Sequence, residues 1–358
     1  MRTPVTLITG VEPEAMAATM VSLLWDMPQA VAVRHHIDVG RQLLVRTVSD
    51  ATGVIEHEEV KLEHACVSCA IREDVIPTLD RVARDGRWTS ILAHLPVGAT
   101  ADQICAVSSR DRQVARTLRV SSVVTALRGC SIIADMLGED LLRERGLESS
   151  DEDSRGVGEV AAAMTEYADV IVVHGDTTDT GVDLVRALAR PDAEIVEGAE
   201  GLTAQRLAGA LHDHVRTRAW TDPQRTWALP EQSSSRVWTL DLRSGPGFHP
   251  ERLLDDLQSL GGGQHRSRGC FWLPTRPDQC LVWDGAGGQL SIGNGGPWGR
   301  HTPMTRIVIT GVGSPLGHLG SSFERLLMSQ ADATQQHARQ VYSDGFEAWL
   351  GPVRDDVA

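Results

Sequence analysis

The stretch PVTLITGVEPEAMA at residues 4–17 sets the fold expectation for the whole chain. Its first residues are β-prone and mostly apolar, Gly10 follows them, and helical spacing begins near Glu14. A strand, a glycine and a helix in this order predict an α/β sheet that opens with a phosphate-binding loop. Such a loop has the pattern G-x-x-x-x-G-K-[ST], in which the lysine neutralises phosphate charge and the hydroxyl binds Mg²⁺.

The second glycine, the lysine and the serine or threonine of this motif are all replaced. Ala15 stands where the second glycine belongs, Met16 where the lysine belongs, and Ala17 where the serine or threonine belongs. Lys61 is the only lysine in the sequence, so no other stretch can supply a loop lysine. Arginine is no equivalent, because its planar fork is too bulky for a tight phosphate nest. The sequence therefore predicts a nucleotide-binding scaffold without nucleotide chemistry, and no bound nucleotide.

Strand-like and helix-like segments alternate after this loop. The strand-like segments are 5–9, 30–35, 43–48, 88–95, 121–127, 170–173 and 193–196, and the helix-like ones include 14–25, 74–84, 159–167 and 182–188. The alternation predicts an α/β domain with a mostly parallel sheet over residues 1–200. Residues 201–235 contain turn-rich polar stretches and are predicted to be a linker. A small α+β domain is expected at 236–345 and a polar tail at 346–358.

Composition narrows the classes of function. The net charge of −14 argues against broad, sequence-independent binding of nucleic acid, although a local arginine patch stays open. No apolar run reaches the length of a membrane span and no signal-peptide pattern is present, so the cytoplasm is the expected location. In a cytosolic chain, a close cysteine pair indicates metal or redox chemistry, whereas isolated cysteines in apolar surroundings are expected to be buried and reduced. The isolated ones are Cys105, Cys130, Cys270 and Cys280.

The close pair is Cys66-Val-Ser-Cys69. Its spacing lets two thiolates bind one Zn²⁺ in a tight turn, with His64 as a possible third ligand. No second Cys-x-x-Cys is present, so the predicted zinc site is labile and suits a sensor. Three alternatives stay open: the cysteines only pack, they present a thiol-dependent surface to a partner, or they form a redox dithiol. A redox role would draw on a depressed pKa of Cys69 near a helix N-terminus.

Weaker predictions concern the exposure and orientation of several other residues. Arg72, Glu73 and Asp74 are predicted to be exposed residues of a first helical turn, with partner contact as a secondary role. The pair at residues 35 and 36, both histidines, is expected to face solvent. His212 and His214 are predicted to lie on a helix, where a separation of two residues points them to different faces.

Three segments together resemble the CobW family of P-loop GTPases. CVSCAIRED at 66–74 resembles the family's G-C-x-C-C segment and the helix start that follows it. GFHPER at 247–252 and RSRGCFWL at 266–273 resemble phrases of its small C-terminal domain. The resemblance covers nearly the whole chain. It implies a P-loop GTPase-like domain followed by a CobW C-terminal-type domain, and a role in handling metals, especially zinc and cobalt.

The departures from the family pattern concern the GTP site. Besides the loop, no Walker B carboxylate follows the strand at 88–95, where HLPVG stands at 94–98. HGDT at 174–177 takes the place of the guanine-reading N-K-x-D. Loss of all three segments predicts that the protein has no GTPase activity.

Within the family, a similar combination of a degenerate loop and a Cys-Val-Ser-Cys segment marks an actinobacterial branch described as recruiting a ribosome hibernation factor. This resemblance implies a non-enzymatic, zinc-responsive adaptor that brings such a factor to the small (30S) ribosomal subunit when zinc is scarce. Whether it touches ribosomal RNA directly stays open. The alternatives are a zinc metallochaperone with an unconventional nucleotide site and a thiol-redox sensor.

Overall fold

The computed structural model describes residues 2–62, 66–225, 229, 235–332 and 343–353. The chain forms two compact units. The first comprises residues 1–135 and 140–221, and the second comprises 136–139 and 222–358. The division at Thr221 lies inside the segment that the sequence predicts as a linker, and two short helices of that segment belong to the first unit. Residues 226–228 and 230–234 of the same segment lie outside the described residues.

The first unit is built on one eight-stranded sheet. Its strands are β1 (Thr3–Thr9), β2 (Ala30–Asp38), β3 (Leu43–Asp50), β4 (Gly53–Lys61), β5 (Ser90–His94), β6 (Leu118–Arg128), β7 (Val170–His174) and β8 (Glu194–Glu197). They are ordered β4-β3-β2-β5-β1-β6-β7-β8. The pairs from β2 to β8 along this order are parallel, while β2–β3 and β3–β4 are antiparallel.

Helices connect and cover these strands. Those up to residue 221 are α1 (Pro13–Asp26), α2 (Val67–Ala70), α3 (Ile76–Asp85), α4 (Asp102–Arg110), α5 (Val114–Thr117), α6 (Ile132–Leu137), α7 (Val157–Tyr167), α8 (Asp179–Leu188), α9 (Ala204–Gly209) and α10 (His214–Thr221). A π-helical turn at Ile71–Val75 joins α2 to α3.

Strand β1 lies near the middle of the sheet because its apolar residues have neighbours on both faces. Val5, Leu7 and Ile8 are fully buried, and β1 pairs with β5 on one side and β6 on the other. Since parallel strands end at the same edge, the loops after β1, β5 and β7 meet at one edge of the sheet. The site expected from the sequence is built there.

The second unit is a five-stranded antiparallel sheet with helices against it. Its strands are β9 (Val237–Ser244), β10 (His265–Phe271), β11 (Gln279–Ala286), β12 (Gln289–Pro297) and β13 (Thr305–Val312), in the order β12-β11-β10-β13-β9. Its helices are α11 (Pro250–Asp255), α12 (Gln258–Gly261), α13 (Leu319–Leu326) and α14 (Glu347–Leu350). Trp283, Phe248 and Phe271 stack in its core.

The predicted fold class, a mostly parallel α/β domain plus a small α+β domain, is confirmed. In the part of the chain that the structure describes, no helix combines the length and the apolar character needed to span a membrane.

Candidate functional site

The loop between β1 and α1 is filled by its own side chains. Met16 is fully buried and Ala15 nearly so, and both pack in a core cluster with Ile8 and Leu92. A Cβ placed on Gly10 would lie 2.8 Å from Met16 Cγ. Met16 thus closes over the glycine at the point where a lysine would reach a phosphate. Ala17, beside it, is half-buried and brings no hydroxyl.

The charge at this loop is acidic. Glu12 immediately precedes α1 and Glu14 lies in its first turn, and the guanidinium of Arg128 pairs with both carboxylates at 2.9 Å. Burial, together with the Asp135 carboxylate, raises the pKa of Glu12. A phosphate entering here would meet two carboxylates, and the nearby cation is already paired. A helix N-terminus usually favours an anion, but here the two carboxylates oppose one.

The segments that replace the other two nucleotide motifs each begin with a histidine. His94, at the end of β5, is buried, and its Nδ1 lies 2.9 Å from the carbonyl oxygen of Leu95. Burial, assisted by the charge of Arg34, lowers the pKa of His94 to about 4. His174, at the end of β7, has its Nε2 2.7 Å from Thr19 Oγ1 on α1. Because both residues carry imidazoles, neither supplies a carboxylate to support Mg²⁺.

A cavity of about 140 Å³ lies at the same edge, and His35, His94, Glu148 and Pro13 are among the residues that line it. Pockets that hold drug-sized ligands usually measure about 300–1,000 Å³. This cavity is smaller than that range.

Cys66 and Cys69 form a tight turn at the start of α2. The Sγ of Cys66 accepts a hydrogen bond from the Cys69 backbone N–H at 3.4 Å, which caps the helix. Both cysteines are free thiols; Cys66 is half-buried and Cys69 only 7% exposed. The turn is tied to α4, because Gln103 Nε2 donates to Ser68 Oγ at 3.2 Å.

The expected depressed pKa of Cys69 is wrong. The hydrogen bond to Cys66 and then burial raise the pKa of this thiol. The neighbouring Cys66 sulfur and burial thus outweigh any lowering by the helix N-terminus. At neutral pH, Cys69 is a protonated thiol, which does not favour the redox alternative.

The two sulfurs supply part of a metal site. Among the described residues, no third Cys, His, Asp or Glu has a ligand atom close enough to complete a cluster with them. His64, the third ligand that the sequence suggested, lies outside the described residues. Two thiols at this spacing fit a weak zinc site that another group must complete.

The sequence predicts an exposed Asp74, and this prediction is wrong. The π-helical turn at Ile71–Val75 rotates its carboxylate inward, and the residue is 5% exposed. Its oxygens bind His35 Nε2 at 3.0 Å, the Arg46 guanidinium and Thr78 Oγ1 at 3.3 Å. His35 is therefore also buried, whereas the adjacent His36 is exposed.

The Asp74 network holds the cysteine turn in place. Burial raises the pKa of Asp74, but hydrogen bonding to His35 and the charge of Arg46 outweigh it and hold that pKa below its ordinary value. Burial lowers the pKa of His35, so this ring is neutral beside the ionised carboxylate. Arg72 and Glu73 are exposed, as predicted, and pair with each other at 2.7 Å next to the Cys69 sulfur.

A second cluster was missed in the sequence. Cys105, His212 and His214 offer ligand atoms that all lie within 4.8 Å of one another. The prediction that the two histidines point apart assumed one helix, but α10 begins at His214 and His212 precedes it. Cys105 is buried as predicted, and so are Cys270 and Cys280, whereas Cys130 is exposed. The sequence shows the two histidines close together, but Cys105 lies 107 residues before His212 (212 − 105). No local pattern joins the three residues.

The second unit matches a known domain family. Residues 237–327 match the model of the cobalamin synthesis protein CobW C-terminal domain. The second unit carries a CobW C-terminal domain. Its match lies inside the predicted 236–345 and includes both phrases, at 247–252 and 266–273, that the sequence singled out.

Relatives extend the similarity to the first unit. A zinc chaperone of Mycobacterium tuberculosis is 27% identical over 395 aligned positions, which cover 98% of this chain and 94% of the relative. Zinc-regulated GTPase metalloprotein activator 1 of Dictyostelium discoideum is 19% identical over 67% of this chain and 54% of its own length. The crystal structure of Zn(II)-bound YjiA GTPase from E. coli aligns over 92% of this chain and 100% of its own, with 13% identity and a TM-score of 0.37. These last two values are too low to support a structural argument.

Proposed function

We propose that this protein is a zinc-responsive adaptor that works without nucleotide hydrolysis. It recruits a ribosome hibernation factor to the small (30S) ribosomal subunit when zinc is limiting. The observation that carries the proposal is the contrast between two parts of one sheet edge. The β1–α1 loop is filled by Met16 and faced by Glu12 and Glu14, while the nearby Cys66–Cys69 turn keeps two free thiols.

The zinc part of the proposal has two supports. One relative is named a zinc chaperone and another a zinc-regulated activator, and both resemble the first unit as well as the second. The cysteine pair supplies sulfur ligands at a spacing that zinc sites use. The hibernation factor and the ribosome come from the resemblance of the degenerate loop and the Cys-Val-Ser-Cys segment to one branch of the CobW family.

The geometry suggests how zinc acts on the turn. Zinc would displace the thiol protons of Cys66 and Cys69 and draw both sulfurs onto one ion, which changes the geometry of the cap that the Cys66 sulfur provides. The raised pKa of Cys69 makes the site weak, so the turn releases zinc early when supply falls. The zinc-free turn, with Arg72 and Glu73 exposed beside it, is the form that meets the partner.

The test is affinity purification of the tagged full-length protein from zinc-starved cells. We expect the wild type to recover hibernation factor and 30S proteins, and the Cys66→Ala/Cys69→Ala double variant to recover much less of both. Cys130→Ala is the matched control, because Cys130 is an exposed free thiol away from the turn. Equal recovery by the double variant and the wild type would contradict the proposal.

A zinc metallochaperone is the second candidate, and the name of the mycobacterial relative favours it. A chaperone of this kind hands zinc to a client and couples the transfer to a nucleotide. It predicts GTP-dependent zinc transfer from purified protein to a chelating acceptor. Transfer that is unchanged by GTP, together with no measurable GTP hydrolysis, would favour the adaptor.

A further inference from the structure

Three potential metal ligands converge in the first unit, away from the cysteine turn. Cys105 lies on α4, His212 in the segment before α10, and His214 at the first residue of α10. Their nearest ligand atoms lie within 4.8 Å of one another. Cys105 and His212 are buried, while His214 is half-buried and leaves the cluster reachable from solvent.

His212 is oriented as metal-binding histidines usually are. Its Nδ1 is 2.8 Å from the carboxylate of Asp169, and its Nε2 is buried with no hydrogen-bond partner among the described residues. His212 is 8% exposed, and bulk solvent does not reach that nitrogen. A carboxylate on one ring nitrogen fixes the tautomer and leaves the other as a lone-pair donor. An unpartnered buried nitrogen of this kind is free to bind a metal.

Both carboxylate oxygens of Asp169 have hydrogen-bond partners besides His212. It accepts from the Val123 backbone N–H at 2.8 Å, and Arg190 Nη2 lies 2.6 Å from its other oxygen. These contacts hold the carboxylate in place against His212 Nδ1. The orientation of the His212 ring is thus set by the fold and exists without a metal.

Tyr167 completes the surroundings. Its hydroxyl lies 2.7 Å from His214 Nδ1, and its ring packs against His212 at a centroid distance of 5.4 Å. Burial raises the pKa of Tyr167, so the hydroxyl stays protonated and neutral. His214 can bind through either ring nitrogen, once its tautomer and the tyrosine hydroxyl adjust.

We propose that Cys105, His212 and His214 form a zinc site that is separate from the Cys66–Cys69 pair. One sulfur and two imidazole nitrogens are a donor set that Zn²⁺ takes with three protein ligands, leaving the fourth tetrahedral position to water or the Tyr167 hydroxyl. Binding releases the thiol proton of Cys105 to solvent, and both histidines bind as neutral rings. Ligand atoms around zinc lie closer together than 4.8 Å, so the three side chains draw inward on binding.

The site also bears on the cysteine turn. Helix α4 carries Cys105 and, two residues earlier, Gln103, which bonds Ser68 between the two cysteines of the turn. Zinc at Cys105 would therefore fix the helix that braces the labile pair. This inference does not require the proposed ribosomal function, because the metal site is defined by its own ligands.

The test is a Co²⁺ titration of the purified full-length protein in the Cys66→Ser/Cys69→Ser background, with Zn²⁺ competition. We expect one equivalent of Co²⁺ with the sulfur-to-metal charge-transfer band and visible absorption of a tetrahedral site, displaced by Zn²⁺. Adding Cys105→Ser should remove the charge-transfer band. Adding His214→Ala should weaken binding by at least about tenfold, since a direct ligand counts for no less than an outer-shell one.

Two further variants keep the result interpretable. Asp169→Asn leaves the ligands in place and should weaken Co²⁺ by about 10–100-fold, as outer-shell changes do. Cys130→Ser, which changes an exposed thiol, should leave binding unaltered. His214→Ala also removes the hydrogen-bond partner of the Tyr167 hydroxyl, so circular dichroism must first establish that the metal-free variant is folded. The proposal is overturned if the background binds no Co²⁺, or if folded Cys105→Ser and His214→Ala proteins bind it undiminished. Failure of ribosome recruitment would leave this result untouched.

Discussion

At the scale of one residue, Met16 carries the proposal that the protein works without a nucleotide. Its side chain is a fully buried part of the core, and the same position in a working loop holds a lysine that faces phosphate. We predict that Met16→Ala lowers the free energy of unfolding by about 2–5 kcal/mol, because it leaves a cavity under Gly10. Urea denaturation measures this. Val21→Ala, on an exposed position of the same helix, should change it by less than about 0.5 kcal/mol. Equal effects would show that Met16 does not pack as described.

Restoring the loop should not restore GTP chemistry. The triple change Ala15→Gly, Met16→Lys and Ala17→Thr rebuilds the motif, but Glu12 and Glu14 still face the site and His94 still stands where a metal-binding carboxylate is needed. We expect no GTP turnover above background, measured by phosphate release, in the wild type or the folded triple variant. Turnover by the wild type would contradict the non-enzymatic account.

His94 makes stability depend on pH. The ring is buried and its pKa is about 4 in the folded protein against an ordinary 6.5, so the unfolded chain binds a proton that the folded protein does not. Stability should therefore fall as pH drops from about 6.5 to about 4, by on the order of 3 kcal/mol from this group. Chemical denaturation across that range measures it, and His94→Asn should flatten the curve. A curve of the same slope in the variant would assign the effect to other groups.

The α2–π–α3 segment is the element that positions the cysteine turn. Asp74→Ala leaves Arg46 and His35 buried without their carboxylate, so we predict a loss of about 3–5 kcal/mol in stability. The same change should weaken zinc binding at Cys66 and Cys69, because the turn loses its anchor. Glu73→Ala, one residue earlier and exposed, is the control and should leave both quantities nearly unchanged. Matching losses in the two variants would contradict the anchoring role.

The sequence predicts elements better than it predicts contacts between them. The strand, glycine and helix at 3–26 follow from local patterns, and the structure has them at nearly the expected bounds. The π-helical turn breaks the helical period, so local spacing placed Asp74 on the surface. Its partners lie on β2 and β3, 39 and 28 residues away. Contacts at that separation depend on strand order, which no local pattern contains.

At the scale of the whole molecule, charge favours making the proposed contact with the ribosome through protein and not through RNA. The net charge is −14, and several arginines are buried in ion pairs or hydrogen bonds: Arg46, Arg190, Arg276 and Arg306. Phosphate binding needs exposed cations that release counterions. We predict no measurable affinity for naked ribosomal RNA fragments near physiological salt, measured by fluorescence anisotropy. Tight, strongly salt-dependent RNA binding would contradict this.

The central claim is that zinc controls recruitment through Cys66 and Cys69 without a nucleotide. The most direct measurement is co-sedimentation of hibernation factor with purified 30S subunits and the full-length protein, without GTP, across a titration of free zinc. We predict that the protein raises the bound fraction at low zinc and loses this effect as zinc rises, whereas Cys66→Ala/Cys69→Ala gives a low, flat response. A strict requirement for GTP, or the same zinc response in the double variant, would contradict the claim.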